Sequence, residues 1–286
     1  MRKLLAGLAA GLCLLLGAAQ ADAQSRWATQ GVRIATEGAY APWNFSKPDG
    51  SLDGFEVELH RELCRRMGVR CTIVAQDWDG IIPSLNAGRY DAIMAGMNIT
   101  PRRLEAISFS RPYASGPGGF GVPKDSPLAR MAGTGSRINL DTQAPEARAA
   151  FEALRAAVRG RTIGVQGSTT HANLVNEHFK DVATIREYRT TEQHDLDLQN
   201  GRIDAIWAAH SAMSATFAQP GFEGFVIVGP GFSGGVLGAG VAVGVRKADN
   251  DLREMFSKAI GEALADGTVR TLSLKWFNNV DLSPQQ

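Results

Sequence analysis

The sequence predicts an α/β fold of two lobes, each with a central β-sheet flanked by helices. Short strands rich in Val, Ile and Ala alternate with amphipathic helices, and this order builds a largely parallel sheet. One such unit occurs twice, because seven of the eleven residues in 85–95 recur in 198–208. Ile34 and Gly38 recur in the same order as Ile163 and Gly167. Two ordered matches favour a pair of related lobes over one large sheet.

The composition is that of a globular protein without a dominant charge. The chain has 286 residues, of which 44% are hydrophobic and 21% are charged, so it can bury a substantial core. It carries 30 basic and 29 acidic residues, and this balance creates no field that would attract a polyanion. We therefore expect no nucleic-acid partner.

Residues 1–23 have the pattern of an export signal. Arg2 and Lys3 supply the positive start, an apolar run follows over 4–19, and Ala-Asp-Ala at 21–23 is a small-x-small cleavage site. The apolar run is shorter than the roughly 20 residues that a membrane-spanning helix needs. We expect this segment to be removed when the protein is exported.

Two cysteines, Cys64 and Cys71, remain after the signal peptide. An even pair in an oxidising compartment predicts a disulfide, which would contribute roughly 2–3 kcal/mol for so short a loop. A metal or redox pair is the competing interpretation, but the spacing matches neither short motif.

The first part of the exported chain alternates strands and helices. Leu59 and Leu63 recur at helical spacing before Gly68, and glycine is the usual residue just after a helix. The predicted elements are a strand over 32–36, a helix that ends at Gly68, a strand over 70–75, a helix that ends at Gly88 and a strand over 90–95.

Two glycine- and proline-rich breaks divide the chain, at 114–121 and 228–231. Between them we predict helices over 145–158 and 171–179, and interpret 126–160 as a surface excursion. After them we predict a strand over 240–245 and a helix over 249–265. The predicted domains are 24–115 for the first part of lobe 1, 116–228 for lobe 2, and 229–286 for the return to lobe 1.

Two motifs typical of cofactor binding and catalysis occur, but the secondary structure that each requires does not follow it. Residues 116–121 satisfy G-x-G-x-x-G, but no helix follows as a dinucleotide site requires. Residues 231–235 satisfy G-x-S-x-G, but they lead into a strand rather than the helix of a nucleophile elbow. The five histidines show no zinc-type spacing. We expect no catalytic residue, no cofactor and no metal.

Two helix starts have the character of anion sites. Thr100 is a good N-cap and Pro101 a good first residue, so Arg103 lies in an opening turn beside free backbone N–H groups. Residues 167–170 provide hydroxyls and unpaired N–H groups at a second helix start. Ordinary capping is the alternative for each. One carboxylate held between both would favour the closed state of a cleft.

Three residues suit the other end of a ligand. Tyr40 and Trp78 lie in turns at the carboxyl ends of strands, where their rings can act as flat walls. Glu37 follows the first strand and can neutralise a cation held over a ring.

Six motifs stand out along the exported chain: TEGAYAP at 36–42, GFEV at 54–57, DWDGIIP at 77–83, NITP at 98–101, GVQGSTT at 164–170 and ADGT at 265–268. Together they resemble the periplasmic solute-binding proteins of polar amino-acid ABC importers, in particular the lysine/arginine/ornithine- and histidine-binding group. The resemblance implies a periplasmic binding protein fold with two hinge strands, closure around one ligand, and delivery to the permease subunits of an ABC importer. It also implies the disulfide, and we expect a monomer.

The resemblance assigns roles to individual residues. Arg103 matches the arginine that grips the ligand carboxylate, and Thr170 matches a donor from the second lobe. Gly96 and Asn98 stand where serines often bind the main-chain atoms of the ligand. The implied ligand-binding set is Glu37, Tyr40, Trp78, Gly96, Met97, Asn98, Arg103, Ser168, Thr169 and Thr170.

Ala209 departs from the pattern of this group. Members that bind α-amino acids usually place an aspartate there for the α-ammonium, and a buried ammonium opposite alanine would lose its charged partner. The departure favours a ligand whose α-amine is substituted or absent, such as an opine-like conjugate. His210 or a water molecule is the alternative partner.

The resemblance implies a receptor for a small, cationic amino acid or amino-acid derivative, with no catalysis. The rival is an enzyme similar to cyclohexadienyl or arogenate dehydratase on the same fold, with Glu37 or Glu56 as general acid. A sensor domain that presents this fold to a membrane receptor is a third hypothesis.

Overall fold

The computed structural model describes residues 26–284. The predicted signal peptide over 1–23 lies outside the described residues. No helix within 26–284 is long and apolar enough to cross a membrane. The strands are β1 (Val32–Thr36), β2 (Ala39–Tyr40), β3 (Asn44–Ser46), β4 (Leu52–Asp53), β5 (Cys71–Ala75), β6 (Ala92–Ile93), β7 (Ser108–Ala114), β8 (Gly118–Pro123), β9 (Arg137–Asn139), β10 (Thr162–Gln166), β11 (Thr184–Tyr188), β12 (Ala205–Ala209), β13 (Phe225–Ser233) and β14 (Val241–Val245). The helices are α1 (26–30), α2 (Phe55–Met67), α3 (Ile81–Asn86), α4 (Pro101–Ala106), α5 (Ala144–Ala157), α6 (Thr170–Phe179), α7 (Thr191–Gln199), α8 (His210–Thr216), α9 (Asn250–Ala265) and α10 (Thr268–Trp276).

The first sheet has the order β5-β1-β6-β14-β7. Strands β5, β1 and β6 are parallel, and β14 lies antiparallel to both of its neighbours. Helices α2, α9 and α10 pack together with this sheet around one apolar core, in which Leu59 and Leu63 are fully buried. Burial of a leucine side chain stabilises the lobe by about 1.5–3 kcal/mol.

Helix α2 ends where the sequence predicted. Gly68 has a φ of 67°, in the left-handed region that glycine enters without steric cost. Cys64 in the last turn of α2 is bonded to Cys71 at the start of β5, with the two Cα atoms 6.2 Å apart. The predicted disulfide is confirmed.

The second sheet has the order β11-β10-β12-β8-β13-β9. Strands β11, β10 and β12 are parallel, and β8 lies antiparallel to β12 and β13. Its core is aromatic: the Phe120 and Trp207 rings meet edge to face with centroids 4.7 Å apart, and the Phe151 and Phe232 rings stack at 4.6 Å. Such ring pairs add to the stabilisation from area burial alone.

The internal repeat corresponds to equivalent places in the two sheets. Ile34 of β1 faces Ala92 of β6, and their counterparts Ile163 and Ala205 face each other in the second sheet. The aspartate of each repeat makes the same contact: Asp91 accepts the Arg33 N–H at 3.0 Å, and Asp204 accepts the Thr162 N–H at 2.8 Å. The predicted pair of related lobes is confirmed.

The chain passes between the sheets in two short segments, 115–117 and 234–240. The predicted break at 228–231 lies inside β13, which continues to Ser233 and pairs there with Asn139 of β9. The glycines and proline produce an irregularity between Val228 and Phe232 instead of a strand end, as a β-bulge does. The predicted return to lobe 1 at 229 is therefore too early.

The interpretation of 126–160 as a surface excursion is wrong. Strand β9 is the edge strand of the second sheet, and α5 packs Phe151 against Phe232 in the core. The sequence missed this because β9 has only three residues and no alternation long enough to detect.

A third, small sheet of β2, β3 and β4 was also not predicted. Its strands are two or three residues long. It follows β1 directly and carries Tyr40 to the interface between the lobes.

Candidate ligand-binding site

A cavity of about 590 Å³ lies between the lobes and is lined by residues of both. It lies at the carboxyl ends of β1 and β10, where the topology of such sheets places ligand sites. Most of the predicted binding residues line it: Glu37, Tyr40, Trp78, Gly96, Asn98, Arg103, Thr169 and Thr170.

The start of α4 brings Arg103 to the cavity. The Thr100 hydroxyl accepts the Arg103 N–H at 3.2 Å and caps the helix as predicted. The guanidinium donates to the Asn98 carbonyl at 2.9 Å and lies 5.2 Å from the Trp78 ring centroid. Burial lowers the pKa of Arg103 to about 10, so the group remains a cation at neutral pH.

The start of α6 faces the same cavity from the second lobe. The Thr169 hydroxyl accepts the Ala172 N–H at 3.0 Å and donates to the Gln166 carbonyl at 2.7 Å. That hydroxyl is therefore committed to capping. The other N–H groups of the first turn have no helical partner and give this end of α6 a positive potential.

Glu37 also lines the cavity and forms a hydrogen bond between the lobes. Its side chain is buried, with the residue 7% exposed, and accepts a hydrogen bond from the Gln166 amide at 2.6 Å. Burial raises the pKa of Glu37 to about 7, and the nearby carboxylates of Glu56 and Asp77 act in the same direction. Within residues 26–284 no cation pairs with it.

Aromatic rings form the walls beside Glu37. Tyr40 and Trp43 stack with an interplanar angle of 4° and centroids 6.1 Å apart. The Trp78 indole donates to the Ser168 carbonyl across the cleft at 3.1 Å. Gly96 has a φ of 60°, and a Cβ there would lie 2.8 Å from the Tyr40 ring, so this glycine lets the ring close over the backbone.

Glu56 does not line the cavity; its hydrogen bonds support the aromatic wall that contains Tyr40. Its fully buried carboxylate accepts the Gly96 N–H at 2.8 Å, the Asn44 amide at 2.6 Å and the Tyr113 hydroxyl. Burial raises its pKa. Because its oxygens are engaged and it does not reach the cavity, Glu56 is a structural group, which leaves Glu37 as the other general acid that the enzyme hypothesis named.

Two predicted residues do not line the cavity. Met97 is fully buried in an apolar cluster with Ile81 and Leu85, so its inclusion was wrong. The backbone bends at 95–96, where Gly96 has a φ of 60°, and the Met97 side chain enters the core while Gly96 and Asn98 line the cavity. Ser168 contributes the carbonyl that accepts the Trp78 indole.

Ala209 lines the cavity and offers no polar side chain there. His210, the alternative partner, does not line the cavity, and its ring lies against Gly119 and Gly231.

The structure adds lining residues that the sequence did not reveal. Gln166 lies inside the motif at 164–170, and Trp43 and His171 each directly follow a quoted motif. Further polar lining residues come from segments in which the sequence showed no signal: Arg137, Asn139, Asp141, Ser211, Asp281 and Ser283. No group of three or more His, Cys, Asp or Glu residues in the described chain is arranged to hold a metal ion.

Residues 32–279 match the bacterial extracellular solute-binding proteins, family 3. The chain belongs to this family. This solute-binding protein is 47% identical over 289 residues to the octopine-binding periplasmic protein of Rhizobium meliloti, covering 95% of this chain and 96% of the relative. It is 34% identical over 272 residues to the lysine/arginine/ornithine-binding periplasmic protein of Escherichia coli, covering 93% and 95%.

A solved structure shares the fold of this solute-binding protein. It is a periplasmic His/Glu/Gln/Arg/opine family-binding protein from Silicibacter pomeroyi in complex with lysine, at 34% identity and a TM-score of 0.70, covering 87% of this chain and 98% of that one. The family and these relatives are binding proteins, not enzymes. The prediction of a two-lobed receptor is confirmed, in preference to the alternative prediction of a dehydratase.

Proposed function

We propose that this protein captures a small amino acid or amino-acid derivative between its lobes and delivers it to the permease of an ABC importer. One observation carries the proposal: Arg103 of one lobe and the start of α6 of the other line a single cavity. A carboxylate held by both would stabilise the closed state, because neither lobe alone supplies the full set of donors. A hydrogen bond between charged groups is worth about 1.5–3 kcal/mol.

The part of the cavity around Glu37 suits a cation. Glu37 is a buried carboxylate beside the Tyr40 and Trp78 rings, and it has no positive partner within the described residues. A ligand ammonium or guanidinium would supply that charge and lie against the rings. The names of the relatives, which bind octopine or lysine, arginine and ornithine, support a cationic ligand.

Ala209 supports an opine-like ligand rather than a standard α-amino acid. A free α-ammonium would find no carboxylate there, whereas an N-substituted amine fills the space beside alanine with its substituent.

We also propose that the protein is exported and that its two lobes move relative to each other. Residues 1–23 would be removed on the way to the periplasm, where the relatives act by name. The segments 115–117 and 234–240 would serve as hinges between lobe 1 (26–114 and 241–284) and lobe 2 (118–233), and the protein would act as a monomer.

Calorimetry with arginine, ornithine, histidine and octopine tests the proposal. Arg103→Ala should weaken binding of the best ligand by about tenfold or more, which is the loss of one charged hydrogen bond. Arg102→Ala is the matched control, because Arg102 is exposed and does not line the cavity. Tight binding by Arg103→Ala, or dehydration of prephenate or arogenate by the wild type, would contradict the receptor assignment.

A further inference from the structure

His171 lies in the first turn of α6 and lines the cavity, although no motif singled it out. Its Nδ1 atom is 3.1 Å from the indole nitrogen of Trp207. An indole N–H can only donate, so Nδ1 must accept and carries no proton. The proton of the neutral ring is therefore on Nε2.

The surroundings hold the ring in this orientation. Trp207 is fully buried among Phe120 and Phe179, so the indole is a rigid partner. A Cβ at Gly118 would lie 2.6 Å from His171 Cε1, so a glycine in β8 leaves the room that the imidazole occupies. Tautomer and ring position are both determined by the fold of the second lobe.

The second ring nitrogen is available to a ligand. Nε2 has no hydrogen-bond partner among residues 26–284, and the residue lines the cavity. Burial, and to a lesser extent the charge of Arg103, lower the pKa of His171 to about 4. The imidazole is thus uncharged at neutral pH and can stand beside the guanidinium without repelling it.

We infer that His171 is a ligand-binding residue whose Nε2–H donates a hydrogen bond to the acid group of the ligand, beside Arg103. Trp207 is its positioning residue. In this tautomer the ring can donate but cannot accept at Nε2, so it selects for a carboxylate oxygen and against an amine or amide N–H. The inference rests on the proposed function, because it concerns the same cavity.

Calorimetry with arginine and octopine on matched variants tests the role of His171. His171→Phe keeps a ring and removes the donor, and should weaken binding about tenfold. His171→Gln restores a side-chain N–H and should recover part of the affinity. His178→Phe is the control, because His178 is on the same helix, stacks on Phe151 and lies outside the cavity; it should bind like the wild type.

Nitrogen-15 NMR of the histidine-labelled protein tests the tautomer directly. We expect His171 to carry its proton on Nε2 at neutral pH, and the Nε2–H signal to shift when ligand is added. Trp207→Phe should allow the other tautomer and weaken binding. This readout needs no His171 variant and remains decisive if that variant does not fold.

The outcomes separate this inference from the proposed function. Failure of the wild type to bind any of the ligands would overturn both. Binding by the wild type with unchanged affinity in His171→Phe, or a proton on Nδ1, would overturn the inference alone.

Discussion

Glu37 illustrates how one residue can depend on the whole fold. The side chain follows β1 in the first lobe, yet its hydrogen-bond donor, the Gln166 amide, is 129 positions away in the second lobe. Burial between the lobes removes the carboxyl from water without supplying a cation, which raises its pKa to about 7. An acid with this pKa is partly protonated at neutral pH.

Binding of a cationic ligand should depend on pH through Glu37. Above pH 7 the carboxylate is ionised and attracts the cation, whereas below pH 7 it must first lose a proton. Affinity for arginine should therefore fall, by up to about tenfold per pH unit, as the pH decreases below about 7. Calorimetry between about pH 5.5 and pH 8.5, in buffers of different ionisation heat, measures both the affinity and the released proton.

Glu37→Gln is the control for this pH dependence, since it keeps the shape and cannot ionise. It should bind arginine more weakly and lose most of the pH dependence. The pKa of Glu37 is higher in the folded protein than in the unfolded chain, so protonation of Glu37 also stabilises the fold at low pH. This stabilisation is lost as the pH rises through about 7. Identical pH profiles for wild type and Glu37→Gln would contradict this role.

At the scale of elements, equivalent loops of the two lobes meet across the cleft. Gln166 follows Glu37 by 129 positions, and this offset also relates Ile34 to Ile163. Arg189 and Asp77 form an ion pair at 2.6 Å and are 112 positions apart, the offset that relates Thr184 of β11 to Thr72 of β5.

Both contacts therefore join positions that the internal repeat makes equivalent. This arrangement is expected where a two-fold relation brings a surface onto its own counterpart. Glu37 and Gln166 both line the cavity, so equivalent loops of the two lobes meet at its wall.

The Arg189–Asp77 pair should make a small, salt-sensitive contribution to closure. Both side chains are largely exposed, at 70% and 75%, and such pairs are worth about 0–1 kcal/mol. Arg189→Ala should raise the dissociation constant by less than about fivefold at low salt, and the difference should vanish at high salt. Titrations at two ionic strengths measure this.

Arg186→Ala is the matched control for Arg189, because Arg186 pairs with Asp197 within the same lobe. It should leave binding unchanged at either ionic strength. An effect of Arg189→Ala that persists in high salt would show that screening does not govern the contact.

At the scale of the whole molecule, the end of the chain adds a further contact between the lobes. Leu282 is buried in the core of the first lobe, and its carbonyl accepts the Ser115 N–H of a crossing segment at 2.8 Å. Asn278 donates to the Ser214 carbonyl of α8 in the second lobe at 3.4 Å. Asp281 also lines the cavity.

Removal of the residues after Val280 should therefore speed ligand release. The truncated chain loses part of the cavity wall and the bond to Ser115, and we expect a dissociation constant about tenfold higher, mainly through the off-rate. Surface plasmon resonance measures both rates. A truncation after Pro284 is the control and should bind like the full chain; equal off-rates for both would contradict a role for this segment.

Local features of the chain determined most of the fold and part of the site. The helix starts at Thr100 and Thr169, the left-handed Gly68 and the disulfide between Cys64 and Cys71 depend on residues a few positions apart. Such features are predictable because capping and turn conformations are short-range. The repeated unit likewise indicated two lobes, since both copies bury the same pattern of side chains.

Only the tertiary structure decided which way side chains face and what they meet. Met97 turns into the core, β13 continues through its glycines, and 137–141 reaches the cavity because of partners distant in the chain. The tautomer of His171 and the raised pKa of Glu37 depend on Trp207 and Gln166, which the sequence places far away. Burial and hydrogen bonding across lobes are long-range interactions, and no local pattern encodes them.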